Sequence, residues 1–404
     1  MVNFLLEDLF QAYFDTRKNK RNTINALKFE SNFESNLIKL YEDLINRRYK
    51  INPSICFINE HPVKREIFAA DFRDRVVHHL IYNHISPIFE KYFIYDFYSC
   101  RKEKGTLLGI KRLDHFIRSC SENYKEDCYV LKLDISGYFM NIDKNILWEK
   151  VSRVLVQNKN QINKIDFDLL LDLISKTIFN NPVKDCKVKG KRKDWVGLPK
   201  NKSLFFAKNN CGLPIGNLTS QLFSNIYLND FDCFVKHQLS CKYYGRYVDD
   251  FFIISRDKVF LKKIIKKISQ YLSEKLGLAI HPNKIYSQHY SKGVDFLGSY
   301  LKPYRIYVKN KTKKNFNQLI ANWNEKALEK DFIFSKEEVF NFIFKVNSYL
   351  GLLGHFKTSK LREKMVNKIE IKSYNYFYLE SFSNKCLKPR QGNFNYQLSM
   401  TNLQ

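Results

Sequence analysis

The sequence predicts an α+β fold, with helical segments at both ends and strand pairs in the middle. Three observations carry this. Leu5, Leu9, Phe10, Tyr13 and Phe14, then Phe33, Leu37, Leu40, Tyr41, Leu44 and Ile45, recur at helical intervals through residues 1 to about 50. "KYYGRYVDDFFIIS", Lys242 to Ser255, is two apolar runs joined at a charged turn, the pattern of a β-hairpin. Leu261, Ile264, Ile265, Ile268, Tyr271 and Leu272 then line one face of an amphipathic helix.

The remaining elements follow in order. "SICFINEHPVKREIFAADFRDRVVHHLIYNHISPIFE" reads as a strand, a His61-Pro62 turn, a second strand through Ile67 and a helix from about Phe72. "CYVLKLDISGYFMNID", from Cys128, is a buried strand that ends at a charge and a turn, with helices to about Phe179. Residues 183–210 are lysine-rich and weakly periodic, an exposed insertion that either faces nucleic acid or is a solvated loop. "GLPIGNLTSQLFSNIYLNDFDCFVKHQL" opens on Gly and Pro, then runs at helical spacing through Leu222, Phe223, Ile226, Tyr227, Phe231 and Phe234. "GVDFLGSYLKPYRIYV" returns to strands, and the chain beyond Asn310 is helical to about Ile371. The tail from Lys372 is rich in Tyr, Phe and Asn and has no clear period. No repeat and no long Pro/Gly/Ser linker interrupts the chain, so its subdomains are expected to share interfaces.

Lysines and arginines number 68 against 41 acids in 404 residues, a formal charge of +27. Such an excess suits a polyanionic partner, whose bound counterions are released on association, or a merely soluble basic surface. No apolar run reaches the roughly 18 residues of a membrane span. The start "MVNFLLEDLFQAYF" lacks a basic n-region and a cleavage site, so a cytoplasmic protein with no membrane partner is expected. The nine cysteines are scattered without a CxxC pair or zinc spacing, which predicts reduced thiols.

Asp249 and Asp250 interrupt an otherwise buried pattern. Placed with Val248 at a tight turn they leave the core, but two adjacent like charges still repel unless a cation neutralises them. A hard ion such as Mg²⁺ prefers carboxylate oxygens. Asp134, which ends "YVLKLD", is either a third acid for the same site or a helix N-cap. On adjacent strands the acids could serve two metal ions about 4 Å apart, able to activate a hydroxyl and stabilise a leaving pyrophosphate.

"YVDD" in a hydrophobic hairpin, preceded by "LKLDISGYF" and "GLPIGNLTSQLFSNIYL", resembles the ordered palm motifs of reverse transcriptases. "KREIFAADFRDRVVHHLI" resembles the fingers segment of the bacterial enzymes, and "YSCRKEKGT", "HPNK" and "GVDFLG" resemble neighbouring motifs, over about residues 52–365. The resemblance implies a right-hand polymerase. N-terminal helices and fingers would span 1–125, an RRM-like antiparallel palm carrying the YVDD hairpin 126–302 (interleaved with the fingers and holding the 183–210 insertion), a helical thumb 303–371, and a tail 372–404. Asp134, Asp249 and Asp250 would be catalytic metal ligands with the Ile135 carbonyl, for two Mg²⁺ ions or Mn²⁺ in their place. Lys64 and Arg65 would grip the dNTP triphosphate. Tyr138, or Phe139 one register away, would be the aromatic gate that rejects a 2′-OH. Gly216, Asn217, Ser220 and Gln221 would support the template and the nucleotide base. Lys284 would help protonate pyrophosphate or be only a strand-end lysine. Arg73, Arg75, Arg101 and Lys104 would contact nucleic acid. Lys357, Lys360, Arg362 and Lys364, in the thumb-like "VNSYLGLLGHFKTSKLREKM", would meet the minor-groove side of an A-form hybrid or form a solvated basic face.

Where group II intron enzymes, which with retron enzymes are related, read QGxxxSP, this chain has "IGNLTSQ", Ile215 to Gln221. That resembles diversity-generating retroelement and phage-defence reverse transcriptases. The implied function is cDNA synthesis on a dedicated, structured noncoding RNA that is template and scaffold, in antiphage defence. The alternative is mutagenic cDNA synthesis for diversification. Implied partners are that RNA, dNTPs, the DNA product and an accessory protein, a second reverse transcriptase or a second copy of the chain. A catalytically silent RNA-binding protein is the reading from another class. Tyr374, Tyr376, Tyr378 and Tyr396 either pack on the thumb, contact RNA or a partner protein, or offer a priming hydroxyl.

Overall fold

The computed structural model describes residues 4–18, 23–60, 63–329, 333–380 and 386–390. Contacts divide the chain into two compact units, Met1–Gln288 and His289–Gln404.

The first unit opens with α1 (Phe4–Arg17), α2 (Ile24–Glu30) and α3 (Phe33–Ile45). Their apolar faces meet around stacked Tyr13 and Phe33, with Phe29 against Phe72. β1 (Ser54–Asn59) and β2 (Arg65–Ala69) pair antiparallel from Ile55 opposite Ala69 to Asn59 opposite Arg65. The expected His61-Pro62 turn lies outside the described residues. α4 (Phe72–Glu90) starts where the Asp71 side chain accepts the Arg73 N–H, the bond that satisfies one orphan donor of the first turn. α5 (Thr106–Cys120), β3 (Tyr129–Asp134), α6 (Tyr138–Asn141), α7 (Lys144–Gln157) and α8 (Phe167–Phe179) follow.

The 183–210 segment is more built-in than the exposed insertion its composition suggests. Its β4 (Cys186–Val188) adds to β1 in parallel, making a sheet ordered β2-β1-β4, and Ser203 and Leu204 are buried. After α9 (Leu218–Tyr227) and α10 (Asn229–Cys233) come β5 (Tyr243–Tyr247), β6 (Asp250–Ser255), α11 (Lys258–Leu276) and β7 (Tyr286–His289). The second sheet is ordered β5-β6-β3-β7. Phe251 to Ile254 are all buried, which explains why β6 reads as a continuous apolar run instead of an alternating one.

In the second unit β8 (Val294–Phe296), β9 (Ser299–Lys302) and β10 (Arg305–Val308) form their own antiparallel sheet. α12 (Asn310–Leu328), α13 (Lys336–Gly354) and α14 (Ser359–Val366) pack around Trp323, whose ring stacks on Phe334 and Phe342 at 3.7 and 4.0 Å. The tail holds a hairpin of β11 (Phe377–Glu380) and β12 (Cys386–Pro389) that the composition did not announce. The Asn347 amide on α13 both donates to the Leu387 carbonyl and accepts its N–H, standing in for a neighbouring strand. Tyr374 and Tyr376 pack on this core, while Tyr396 lies outside the described residues. All nine cysteines are free thiols, and no helix among the described residues is long and apolar enough to cross a membrane.

Candidate active site

β3 and β6 run antiparallel with Asp134 opposite Asp250, so both acids stand at the same end of the sheet. Val248 and Asp249 form the turn between β5 and β6, with Val248 at φ 55°, an uncommon conformation for a β-branched residue. Three bonds hold that turn. Val248 N–H donates to Ser99 Oγ at 3.0 Å, Arg246 Nη1 donates to the Val248 carbonyl at 2.8 Å, and Ile135 N–H donates to the Asp249 carbonyl at 3.2 Å. Arg246 is fully buried, and its guanidinium forks onto equally buried Asp232 while lying 4.2 Å from the Phe97 ring centroid.

Asp134 caps no helix here: α6 begins after Gly137, and Asp134 Oδ2 accepts from Lys284 Nζ at 2.7 Å. Lys132 Nζ stands 3.5 Å from Asp250 Oδ2. Burial, then the charge of Asp134, pushes the Asp249 carboxyl up to about 6, and burial also raises Asp250. Mutual repulsion of this kind is what a bound cation would relieve, and an all-oxygen donor set suits a hard divalent ion. Among the described residues no three His, Cys, Asp or Glu side chains are closed into a ready metal cage. The fit is therefore one of charge and donor chemistry.

The three acids open into a cavity of about 600 Å³ within the first unit. The cavity is also lined by Lys64, Arg65, Ile135, Tyr138 and Phe139, and by Gly216, Asn217, Ser220, Gln221 and Lys284. Arg65 is exposed, whereas Lys64 Nζ donates to the Val196 carbonyl at 2.9 Å. Tyr138 is buried, its hydroxyl donating to the Ser224 carbonyl, so the ring is fixed at the floor; Phe139 is half-buried beside it. The Asn217 side chain accepts the Ala70 N–H, and Ile215 C=O accepts the Phe68 N–H, which presses Gly216 onto β2. A Cβ on Gly216 would stand 2.9 Å from Ile67 Cγ2, and its φ of +123° already demands glycine.

The other predicted contacts are not among the residues that line the cavity. Arg73 pairs with Asp43 at 2.7 Å, and Arg75 Nε donates to the Ala70 carbonyl at 2.9 Å. Arg101 is committed to Glu90 and to the carbonyls of Ile94 and Phe97. Lys104 Nζ sits 3.3 Å from the Tyr95 ring centroid. Lys357, Lys360 and Lys364 are exposed and Arg362 is half-buried, all in the second unit. Sequence reasoning missed Asn201 and Lys202, which also line the cavity, and the Arg246–Asp232 pair beneath it. The one signal for the latter was an arginine at an inward position of an apolar strand.

The profile of the reverse transcriptase (RNA-dependent DNA polymerase) family matches residues 63–301, more than half of the chain. The chain belongs to this family of RNA-dependent DNA polymerases. It is 24% identical over 309 residues to Protein YkfC of Escherichia coli strain K12, covering 68% of this chain and 73% of that one. Among solved structures it is similar to apo telomerase from Candida tropicalis, at 13% identity and a TM-score of 0.47, over 84% of this chain and 62% of that one. It is also similar to telomerase from Candida albicans in complex with a TWJ fragment of telomeric RNA, at 14% identity and a TM-score of 0.42, over 83% and 64%. The chain thus spans less than two thirds of the length of those telomerase chains.

Proposed function

We propose that this protein synthesises DNA on an RNA template, with Asp134, Asp249 and Asp250 as the acids that hold two Mg²⁺ ions. The carrying observation is the convergence of the three acids with Arg65 and Tyr138 in one cavity of about 600 Å³. When bound, the ions supply Lewis-acid stabilisation of the reacting phosphate and of the leaving pyrophosphate. The chain's own groups divide the remaining work. Arg65 binds triphosphate oxygens with its planar fork. The Tyr138 ring, with Phe139 beside it, excludes a 2′-hydroxyl. Asn217 and Gly216 hold the floor beneath the templating base, and Lys284 delivers a proton to the leaving group. We assign fingers to 1–125, palm to 126–302 and thumb to 303–371, with Lys357, Lys360 and Arg362 toward the template–product hybrid.

The template we assign is a dedicated noncoding RNA, and the setting antiphage defence in the cytoplasm. The "IGNLTSQ" stretch suits defence and diversification enzymes alike, and the further structure beyond the motifs, which includes the β11–β12 hairpin, is what favours defence. Primer extension on RNA with Mg²⁺ and dNTPs, wild type beside the Asp249→Ala, Asp250→Ala double variant, tests the polymerase; equal product from both proteins, or none from either across several primers and RNAs, overturns it. Phage plating on cells expressing the gene with its flanking RNA tests the setting. Equal plaque counts for wild type and double variant, with template and variable repeats beside the gene, would point instead to diversification.

A further inference from the structure

Glu66 on β2 is buried, and a buried carboxylate is costly unless its oxygens are fully hydrogen-bonded. Here three donors meet it, and all come from one segment. Trp195 Nε1 and Ser203 Oγ donate to Oε2 at 2.7 and 2.8 Å, and Leu204 N–H donates to Oε1 at 2.6 Å. The clamp ties β2 to the 183–210 segment so that the two form one wall.

What flanks the clamp gives it a use. The residue before Glu66 is Arg65, and the residue before Ser203 is Lys202; both line the cavity and both are exposed. Neither makes an ion pair among the described residues, whereas the other two lysines of the cavity are engaged, Lys64 by Val196 and Lys284 by Asp134. The segment is also pressed onto the turn that follows Asp134. A Cβ on Gly137, whose φ is +54°, would stand 2.7 Å from the Asn201 carbonyl oxygen. The backbone at Lys202 is thus held between the strand that bears Arg65 and the turn at Gly137 that precedes Tyr138, with its side chain exposed.

We propose that Lys202 is a second cation for the phosphates of the incoming nucleoside triphosphate, acting across the cavity from Arg65, and that Glu66 is the positioning residue that sets their separation. This rests on the polymerase reading of the same cavity. Steady-state extension and equilibrium binding of a fluorescent dNTP to the protein with primer–template are read together. Lys202→Ala is expected to raise the dNTP KM and dissociation constant about tenfold, the order expected for one charge-assisted hydrogen bond, with kcat and primer–template affinity little changed. Lys202→Arg should recover most of the loss. Glu66→Gln, or the milder Trp195→Phe if the former fails to fold, should raise the same KM and add nothing on top of Lys202→Ala.

Unchanged dNTP binding by Lys202→Ala overturns the inference, as does a loss confined to primer–template affinity, which would mean a backbone phosphate instead. Because nucleotide binding is read without turnover, a chain that binds dNTP through Lys202 yet extends nothing would sink the polymerase reading alone.

Discussion

Lys284 Nζ stands 2.7 Å from Asp134 Oδ2, across 150 residues of sequence. The contact brings the proposed proton donor and a metal-ligand candidate to the same edge of the cavity. Lys284→Ala should lower the rate of single-turnover incorporation about 100-fold, a usual size for general-acid catalysis, with dNTP affinity within a few-fold of wild type. An unchanged rate would leave Lys284 as a partner of Asp134 only.

Tyr138 and Phe139 can be separated by what each does to sugar choice. Tyr138→Ala should raise the ratio of rNTP to dNTP incorporation at least about tenfold by removing a fixed ring from the floor. Tyr138→Phe keeps the ring, losing only the bond to the Ser224 carbonyl, so it should keep selectivity. If selectivity moves only with Phe139→Ala, the gate is one residue further on.

The buried pair of Arg246 and Asp232 supports the turn that presents Asp249. Asp232→Asn leaves a buried guanidinium without its counter-charge, and the expected loss of unfolding free energy is about 3–5 kcal/mol. Urea denaturation followed by far-UV circular dichroism reads it. A loss under about 1 kcal/mol would mean that water or another group takes over the pairing.

His78 is buried, with Nδ1 2.5 Å from Thr219 Oγ1, and burial, then the neighbouring Arg75 and His79, pushes its imidazole down to about 3 from an ordinary 6.5. Between those values the unfolded chain binds the proton and the folded chain does not. This contribution therefore falls as pH drops below 6.5 toward 3 and is complete above 6.5. Thermal melts from about pH 7 to about pH 5 should show a smaller loss of Tm for His78→Asn than for wild type. Parallel curves would mean that other groups set the acid limb.

On the proposed function, a formal charge of +27 predicts that RNA binding is electrostatic in large part. The logarithm of the association constant should fall linearly with the logarithm of salt concentration, losing about 10³-fold or more between about 50 and 200 mM, as for proteins neutralising six or more phosphates. Filter binding of one RNA over that range is sufficient. A flat line would assign the charge to something other than nucleic acid.

Much of the fold could be read from period alone. The α11 stripe, the β5–β6 hairpin and the strand that ends at Asp134 announce themselves because burial of one face imposes a repeat, and a charge ending an apolar run marks where the chain meets solvent. The same logic locates the three acids, since their cost in a core is visible without a structure. The short strands β4, β11 and β12, of three or four residues each, are too brief to show any period.

Tertiary structure alone decided which distant groups meet. Glu66 with Trp195, Lys284 with Asp134, and Arg246 with Asp232 are set by how sheets and helices close on one another, 129, 150 and 14 residues apart. Local pattern tells a side chain which way to face. Only the closed chain determines what it faces, and that is where Lys202 and Glu66 became visible.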